Sequence, residues 1–173
     1  MADYKTKDIR NIALLGHGSE GKTTLTEAML FAAGMIDRQG KKHSLGEGKV
    51  EAGTTVTDFD AEENKRGISI SAATAPVEWK GTKINLIDVP GYFDFIGEMM
   101  GPLRVVETAA IVVGAVSGLT VGAEKAWAYA KKNNVCRMFI VNRMDAENAN
   151  YEKTIEQLRE KFGSSVVPLM LPI

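Results

Sequence analysis

Apolar residues fall along this chain in two alternating rhythms. Among the short continuous runs, "NIALL" at 11–15 predicts a first strand, and "AAIVVGAV" at 109–116 and "RMFIVN" at 137–142 predict buried strands. Between them, apolar residues recur three and four apart. Leu25, Ala28, Met29 and Ala32 predict a helix from about Lys22 to Ala33. Ala123, Ala126, Trp127 and Ala130 mark a second helix, and Tyr151, Ile155, Leu158 and Phe162 a third. "TAPVEWKGTKINLIDV" at 74–89 predicts two strands around a tight turn near Gly81, and "VVPLML" at 166–171 predicts a final strand. Residues 34–67 show no clean period, and a loop of that length inside a domain is usually functional. Strands alternating with helices predict an α/β three-layer sandwich with a mostly parallel sheet, in which the 74–89 hairpin supplies one antiparallel edge strand.

Composition narrows the class without changing this picture. The chain is 45% apolar and 25% charged, which suits one globular domain with an adequate core. A net charge of −1 gives no electrostatic reason to expect a nucleic-acid or membrane partner at the whole-chain level. The lone cysteine, Cys136, excludes an intramolecular disulfide and suits a reducing compartment. The N-terminal "MADYKTKDIR" has no apolar signal core, and the longest apolar stretch, near 109–116, is too short to span a bilayer. The expectation is a soluble, cytoplasmic protein.

"GHGSEGKT" at 16–23 matches Gly-x-x-x-x-Gly-Lys-Thr, between a predicted strand and a predicted helix. Glycines allow successive backbone N–H groups to converge on phosphate oxygens, and the helix N-terminus adds partial positive charge. The stretch Gly16, His17, Gly18, Ser19, Glu20, Gly21, Lys22, Thr23 and Thr24 is therefore expected to bind the phosphates. Lys22 reaches the β- and γ-phosphates as a point charge, and the Thr23 hydroxyl binds Mg²⁺. The fold class becomes that of the P-loop nucleoside triphosphatases.

Two further stretches lie at predicted strand ends, where open α/β sheets bind ligands. Asp88 closes "INLID" and opens "DVPGYFDF" at 88–95; its carboxylate is placed to hold Mg²⁺, and the N–H of Gly91 to approach a γ-phosphate. "IVNRMD" ends with Asn142, Arg143, Met144 and Asp145. An aspartate there accepts two hydrogen bonds from guanine's ring N–H and exocyclic amine, a donor pair that adenine lacks. Asn142 would fix the loop, and the stem of Arg143 would cover a base face.

These three motifs, in this order and spacing, resemble a translational GTPase, and most nearly the N-terminal GTP-binding domain of the elongation factor G family. "TVTDFDAEENKRGISI" at 55–70 looks like that family's first switch, "DVPGYFDF" looks like its Asp-Thr-Pro-Gly-His-x-Asp-Phe, and "VVPLMLPI" looks like the stretch before its inserted subdomain. The likeness covers essentially the whole chain. It is similar to the divergent branch that also carries Tyr after Asp-x-Pro-Gly; release factor 3 and the ribosomal protection proteins share much of the pattern. The resemblance implies a monomeric GTP-binding and GTP-hydrolysing domain of a ribosome-associated elongation factor of the translocation type, using GTP/GDP and Mg²⁺. It implies no sequence-specific nucleic-acid contact by this chain. It places the phosphate loop at 16–23, a first switch at about 34–70 with Ser69 as a Mg²⁺ ligand, a second at about 88–104 and the base-reading motif at 142–145. It also implies a fragment, cut at the boundary of the inserted subdomain, since the family's fifth guanine motif would follow Ile173.

Two residues depart from the family pattern. Ser19 stands where many relatives carry Asp. Tyr92 stands where most carry the His that orients the attacking water. A phenol donates and accepts a hydrogen bond but neither becomes cationic nor takes up a proton at neutral pH. The catalytic set Lys22, Gly91 and Tyr92 therefore implies positioning and charge stabilisation without proton transfer. A GTP/GDP-responsive ribosome ligand with little hydrolysis is the alternative. Among other residues, His17 is expected to matter through its backbone, and His43 to be solvated beside Lys41 and Lys42. Met99 and Met100 are expected beneath a second-switch helix kinked or started late at Pro102, and Glu124 and Lys125 on a solvated helix face.

Overall fold

The computed structural model describes residues 4–36 and 55–172. A short 3₁₀ turn, Thr6–Asp8, leads into β1, Ile9–Gly16. There follow α1 (Lys22–Ala32), α2 (Ala61–Arg66), β2 (Ala73–Trp79), β3 (Thr82–Asp88), β4 (Thr108–Gly114), α3 (Val121–Lys132), β5 (Cys136–Asn142) and α4 (Tyr151–Phe162). The strands form one sheet in the order β2-β3-β1-β4-β5; only the β2–β3 pair is antiparallel. Pro76 is tolerated in β2 because an edge strand has one side with no ladder to donate to.

Helices on both faces complete the three layers. On one face, Leu30 of α1 packs with Ala75, Val77 and Leu86. On the other, α3 contributes Ala123, Ala126 and Ala130, and α4 contributes Leu158, against Leu15, Ile87, Ile111 and Val113. Each fully buried Leu, Ile or Val contributes roughly 1.5–3 kcal/mol through lost water contact. The three alanines let α3 approach the sheet closely. Beside them Trp127 stacks on Phe139, ring centroids 5.1 Å apart, and meets Phe162 at 4.4 Å, joining α3, β5 and α4. Caps fix the helix starts: the Thr120 side chain accepts from the N–H of Ala123, and that of Asn150 from the N–H of Lys153.

β5 is not the buried strand expected: it lies at the sheet edge and none of its residues is buried. Three further expectations need correction. Residues 166–171 form no strand. The Val166 carbonyl accepts from Arg159 Nε and the Met170 carbonyl from Tyr151 Oη, so α4 takes groups that a ladder would need; Val167, Leu169 and Met170 are exposed. The predicted second-switch helix is two 3₁₀ pieces, Phe93–Met99 and Pro102–Arg104, the first interrupted by non-helical Phe95. Pro102 does start the second piece, Met99 is buried and Met100 packs against the core. The third correction concerns the unpatterned region. Its residues 37–54, with His43, Lys41 and Lys42, lie outside the described residues, but Ala61–Arg66 is helical. The signal was present in the sequence: Asp60 and Glu63 form a reciprocal capping box, with Gly67 in the left-handed conformation as the stop.

Candidate functional site

Parallel pairing brings the carboxyl ends of β1, β3, β4 and β5 to one edge of the sheet. Leu14 stands opposite Asp88, Gly16 opposite Val112, and Gly114 opposite Asn142. The loop from Gly16 to Gly21 wraps this edge and opens α1. Ser19 and Gly21 both take positive φ, +63° and +86°. At Gly21 a Cβ would also meet Asn142 Nδ2 at 2.6 Å, so glycine is required twice over. Asn142 Nδ2 donates to the Glu20 carbonyl at 2.9 Å, tying the end of β5 to the phosphate loop. The buried Glu20 carboxylate accepts from Ser117 Oγ at 2.9 Å, a tie to the loop after β4 that sequence reasoning missed.

Lys22 is 6% exposed, and its ammonium donates to the His17 carbonyl at 2.7 Å. Burial pushes its pKa down, while the carboxylates of Asp88, Glu20 and Asp58 oppose that and favour the charged form. Gly91 lies directly over it: a Cβ there would collide with Lys22 Nζ and stand 2.6 Å from the N–H nitrogen of Gly18. The Asp-x-x-Gly segment and the phosphate loop thus share one small volume. His17 meets Phe93 through its ring, centroids 5.5 Å apart, with Nδ1 buried and unbonded. Lys125 is not simply solvated; its ammonium sits 4.0 Å from the Phe93 centroid. Glu124 likewise pairs with Lys161 at 2.7 Å.

Thr23, Ser69 and Asp88 converge. The Thr23 and Ser69 hydroxyl oxygens are 3.2 Å apart, and Asp88 Oδ2 accepts from Thr57 at 3.1 Å. Asp88 is 3% exposed, and burial pushes its pKa up to about 6 against the pull of Thr23, Lys22 and Thr57; Asp58 adds to the rise. Its other oxygen, Oδ1, is buried without a hydrogen-bond partner. An orphaned carboxylate oxygen beside two hydroxyls is the hard-oxygen set that Mg²⁺ takes together with nucleotide phosphates. The residues present fit that ion. Two neighbours escaped the sequence reading. Asp58 is buried, its carboxyl pushed up by desolvation and drawn down by hydrogen bonds from Ser69 and Thr55; Thr57 holds Asp88. Nothing in the spacing marked either, because both act from a segment without period.

The remaining candidates are less enclosed. Ser19, Thr24 and Tyr92 are exposed at the cleft, which is also lined by Gly18, Gly21, Lys22, Thr23, Ser69, Gly91 and Arg143. The Tyr92 ring lies across Gly18, where a Cβ would be 2.9 Å from its Cζ, and its hydroxyl is 3.5 Å from Ser19 Oγ. Arg143, with φ +57°, reaches the cleft; Met144 and Asp145 sit in the exposed turn beyond it.

A Gly-rich loop between the first strand and helix of a parallel sheet, with its lysine buried at the strand ends, defines a P-loop nucleotide-binding domain. Residues 7–170 match the family model of the elongation factor Tu GTP binding domain, and the chain belongs to that family. It is 43% identical over 165 residues to the elongation factor G of Chlamydia trachomatis serovar D, covering 95% of this chain and 23% of that protein. It is 39% identical to the mitochondrial ribosome-releasing factor 2 of Culex quinquefasciatus, covering 96% and 21%. A crystal structure from Thermus thermophilus superposes with a TM-score of 0.86 at 38% identity, over 95% of this chain and 24% of that one. The chain therefore spans less than a quarter of the length of these relatives. Among the described residues, no helix is long and apolar enough to cross a membrane.

Proposed function

We propose that this chain binds and hydrolyses GTP as the nucleotide domain of a ribosome-associated, cytoplasmic elongation factor of the translocation type. The observation that carries the reading is the convergence of Lys22, Thr23, Ser69, Asp88 and Gly91 on one volume. Backbone N–H groups of residues 18–23 hold the phosphates, and Lys22 neutralises charge developing between β and γ. Thr23, Ser69 and Asp88 would hold Mg²⁺, which when bound shields the phosphate oxygens. Residues at about 34–70 and 88–104 act as the two switch segments; Ser69 of the first stands against Thr23, and Gly91 and Tyr92 of the second against Gly18. Asp145 accepts from guanine, and Arg143 covers the base. Tyr92 lies over the loop and places a water for in-line attack through its hydroxyl.

Fluorescent GDP and ADP, titrated separately with Mg²⁺, test the nucleotide reading. Binding of GDP alone is expected; equal binding of both would overturn the role of Asp145. The catalytic reading is tested in the longer protein with ribosomes. Tyr92→Phe is expected to slow stimulated turnover, and an unchanged rate would remove Tyr92 from catalysis. The exposure of Tyr92, and its long contact to Ser19, support a second reading, a GTP/GDP-responsive ribosome ligand with little hydrolysis. Turnover on ribosomes separates the two.

A further inference from the structure

Glu63 is an acid on a six-residue helix at the surface, yet it is only 2% exposed. Its neighbour Glu62 faces solvent and takes the basic partners, Arg66 at 3.2 Å and Lys65 at 3.9 Å. Glu63 turns inward instead. Oε1 accepts from the N–H of Ile70 at 2.9 Å and of Ser71 at 3.0 Å; Oε2 accepts from the N–H of Asp60 at 3.2 Å. Its backbone carbonyl accepts from Gly67 at 2.8 Å and Ile68 at 3.3 Å. One residue thus bonds the amides on both sides of Ser69, at Ile68 and at Ile70. Charge-assisted bonds to backbone N–H groups are short and strong, and three of them offset the cost of burying a carboxylate.

A cap serving only α2 would need the Asp60 contact alone. The bonds to Ile70 and Ser71 lie beyond the helix and fix the backbone that carries the Ser69 side chain, whose hydroxyl stands 3.2 Å from that of Thr23. We propose that Glu63 is a positioning residue for the Mg²⁺ of the bound nucleotide, acting by holding the Ser69 hydroxyl against Thr23. The proposal rests on the reading of Ser69 as a metal ligand. Partners that orient a metal's ligands typically change metal affinity by about 10–100-fold when removed.

The test is a double-mutant cycle read by metal dependence. A fluorescent, non-hydrolysable GTP analogue is bound to wild type, Glu63→Ala, Glu63→Gln, Ser69→Ala and the double Ala variant. Mg²⁺ is titrated, affinity in EDTA serves as the metal-free reference, and melting confirms folding. Glu63→Ala is expected to raise the half-saturating Mg²⁺ about tenfold or more, with the loss confined to the Mg²⁺-dependent part of binding. Glu63→Gln keeps Oε1 for Ile70 and Ser71 but turns an NH₂ toward the N–H of Asp60, so a shift of roughly threefold is expected. In the Ser69→Ala background, Glu63→Ala should add nothing. Full additivity, or equal losses with and without Mg²⁺, would reduce Glu63 to a helix cap and overturn the proposal. If Ser69→Ala shifts the Mg²⁺ dependence and neither Glu63 variant does, the proposal alone falls. If Ser69→Ala has no effect, the metal reading of Ser69 falls and takes the proposal with it. Should Glu63→Ala not fold, Glu63→Gln decides: an unchanged Mg²⁺ dependence overturns the proposal.

Discussion

At the phosphate end, Lys22, Thr23, Asp58 and Asp88 are nearly sealed from solvent, and each is hydrogen-bonded within the site. At the base end, Arg143, Met144 and Asp145 lie exposed after β5. On the proposed reading, the contrast follows from what each end would recognise. Phosphate and Mg²⁺ carry charge that low-dielectric surroundings make expensive to misplace, so their partners are held in advance. A base is flat and neutral and is recognised by a few hydrogen bonds along one edge. The phosphate end is thus built into the packed fold, whereas the residues after β5 are not.

Four expectations would break or sharpen that contrast. Lys22→Ala should have the largest effect, removing about 2–5 kcal/mol of nucleotide binding because it deletes the buried cation that would pair with the phosphates; fluorescent GDP titration measures it. Next comes acid dependence of the metal-free protein. Asp88 titrates near 6 when folded against an ordinary 3.8, so between those values the folded state holds a proton that the unfolded chain has lost. Stability is then highest below about pH 4 as far as this group is concerned and falls as pH rises through 6, by on the order of 3 kcal/mol. Thermal melts across that range should show the trend, and Asp88→Asn should weaken it, since Asp58 keeps its own contribution of the same sign; a flat profile in the wild type would mean the phosphate end is better solvated than its burial indicates.

At the base end, Asp145→Asn should weaken GDP binding by about 1–3 kcal/mol and favour xanthine nucleotides. Its melting temperature should stay near that of the wild type, as exposed substitutions shift stability within about ±0.5 kcal/mol. A large loss of stability would erase the contrast between the two ends. The smallest effect belongs to Tyr92→Phe, whose 3.5 Å contact to Ser19 is too long to contribute much. The melt should not move measurably, which would leave any loss of ribosome-stimulated turnover attributable to the hydroxyl.

Much of this was legible in the chain itself. The phosphate loop declares itself because backbone geometry demands glycine at fixed positions and chemistry demands Lys22 and Thr23 after them. β1, β4 and β5 declare themselves as short apolar runs, although only β4 is buried along nearly its whole length and β5, at the sheet edge, has no buried residue. Asp88 and Asn142 could be placed because polar residues closing such runs fall at the ligand-binding edge of a parallel sheet. The capping box at Asp60 and Glu63 was equally present, but it marks a helix too short to show a period.

Other features exist only as contacts between distant segments. Asp58 and Thr57 resemble any polar loop residues until the fold brings Thr57 against Asp88, 31 residues further along the chain. Residues 166–171 have the composition of a strand, but a strand is a relation to a neighbour, and α4 takes the Val166 and Met170 carbonyls. The sequence by itself determined the alternation of strands and helices, the phosphate loop and the residue types at the site. The tertiary structure alone decided that Lys22 and Asp88 are buried, that Tyr92 lies across Gly18 and that Glu63 brackets Ser69. Periodicity and motifs are local properties of a chain, whereas burial, electrostatics and hydrogen-bond partners arise only when remote segments are packed together.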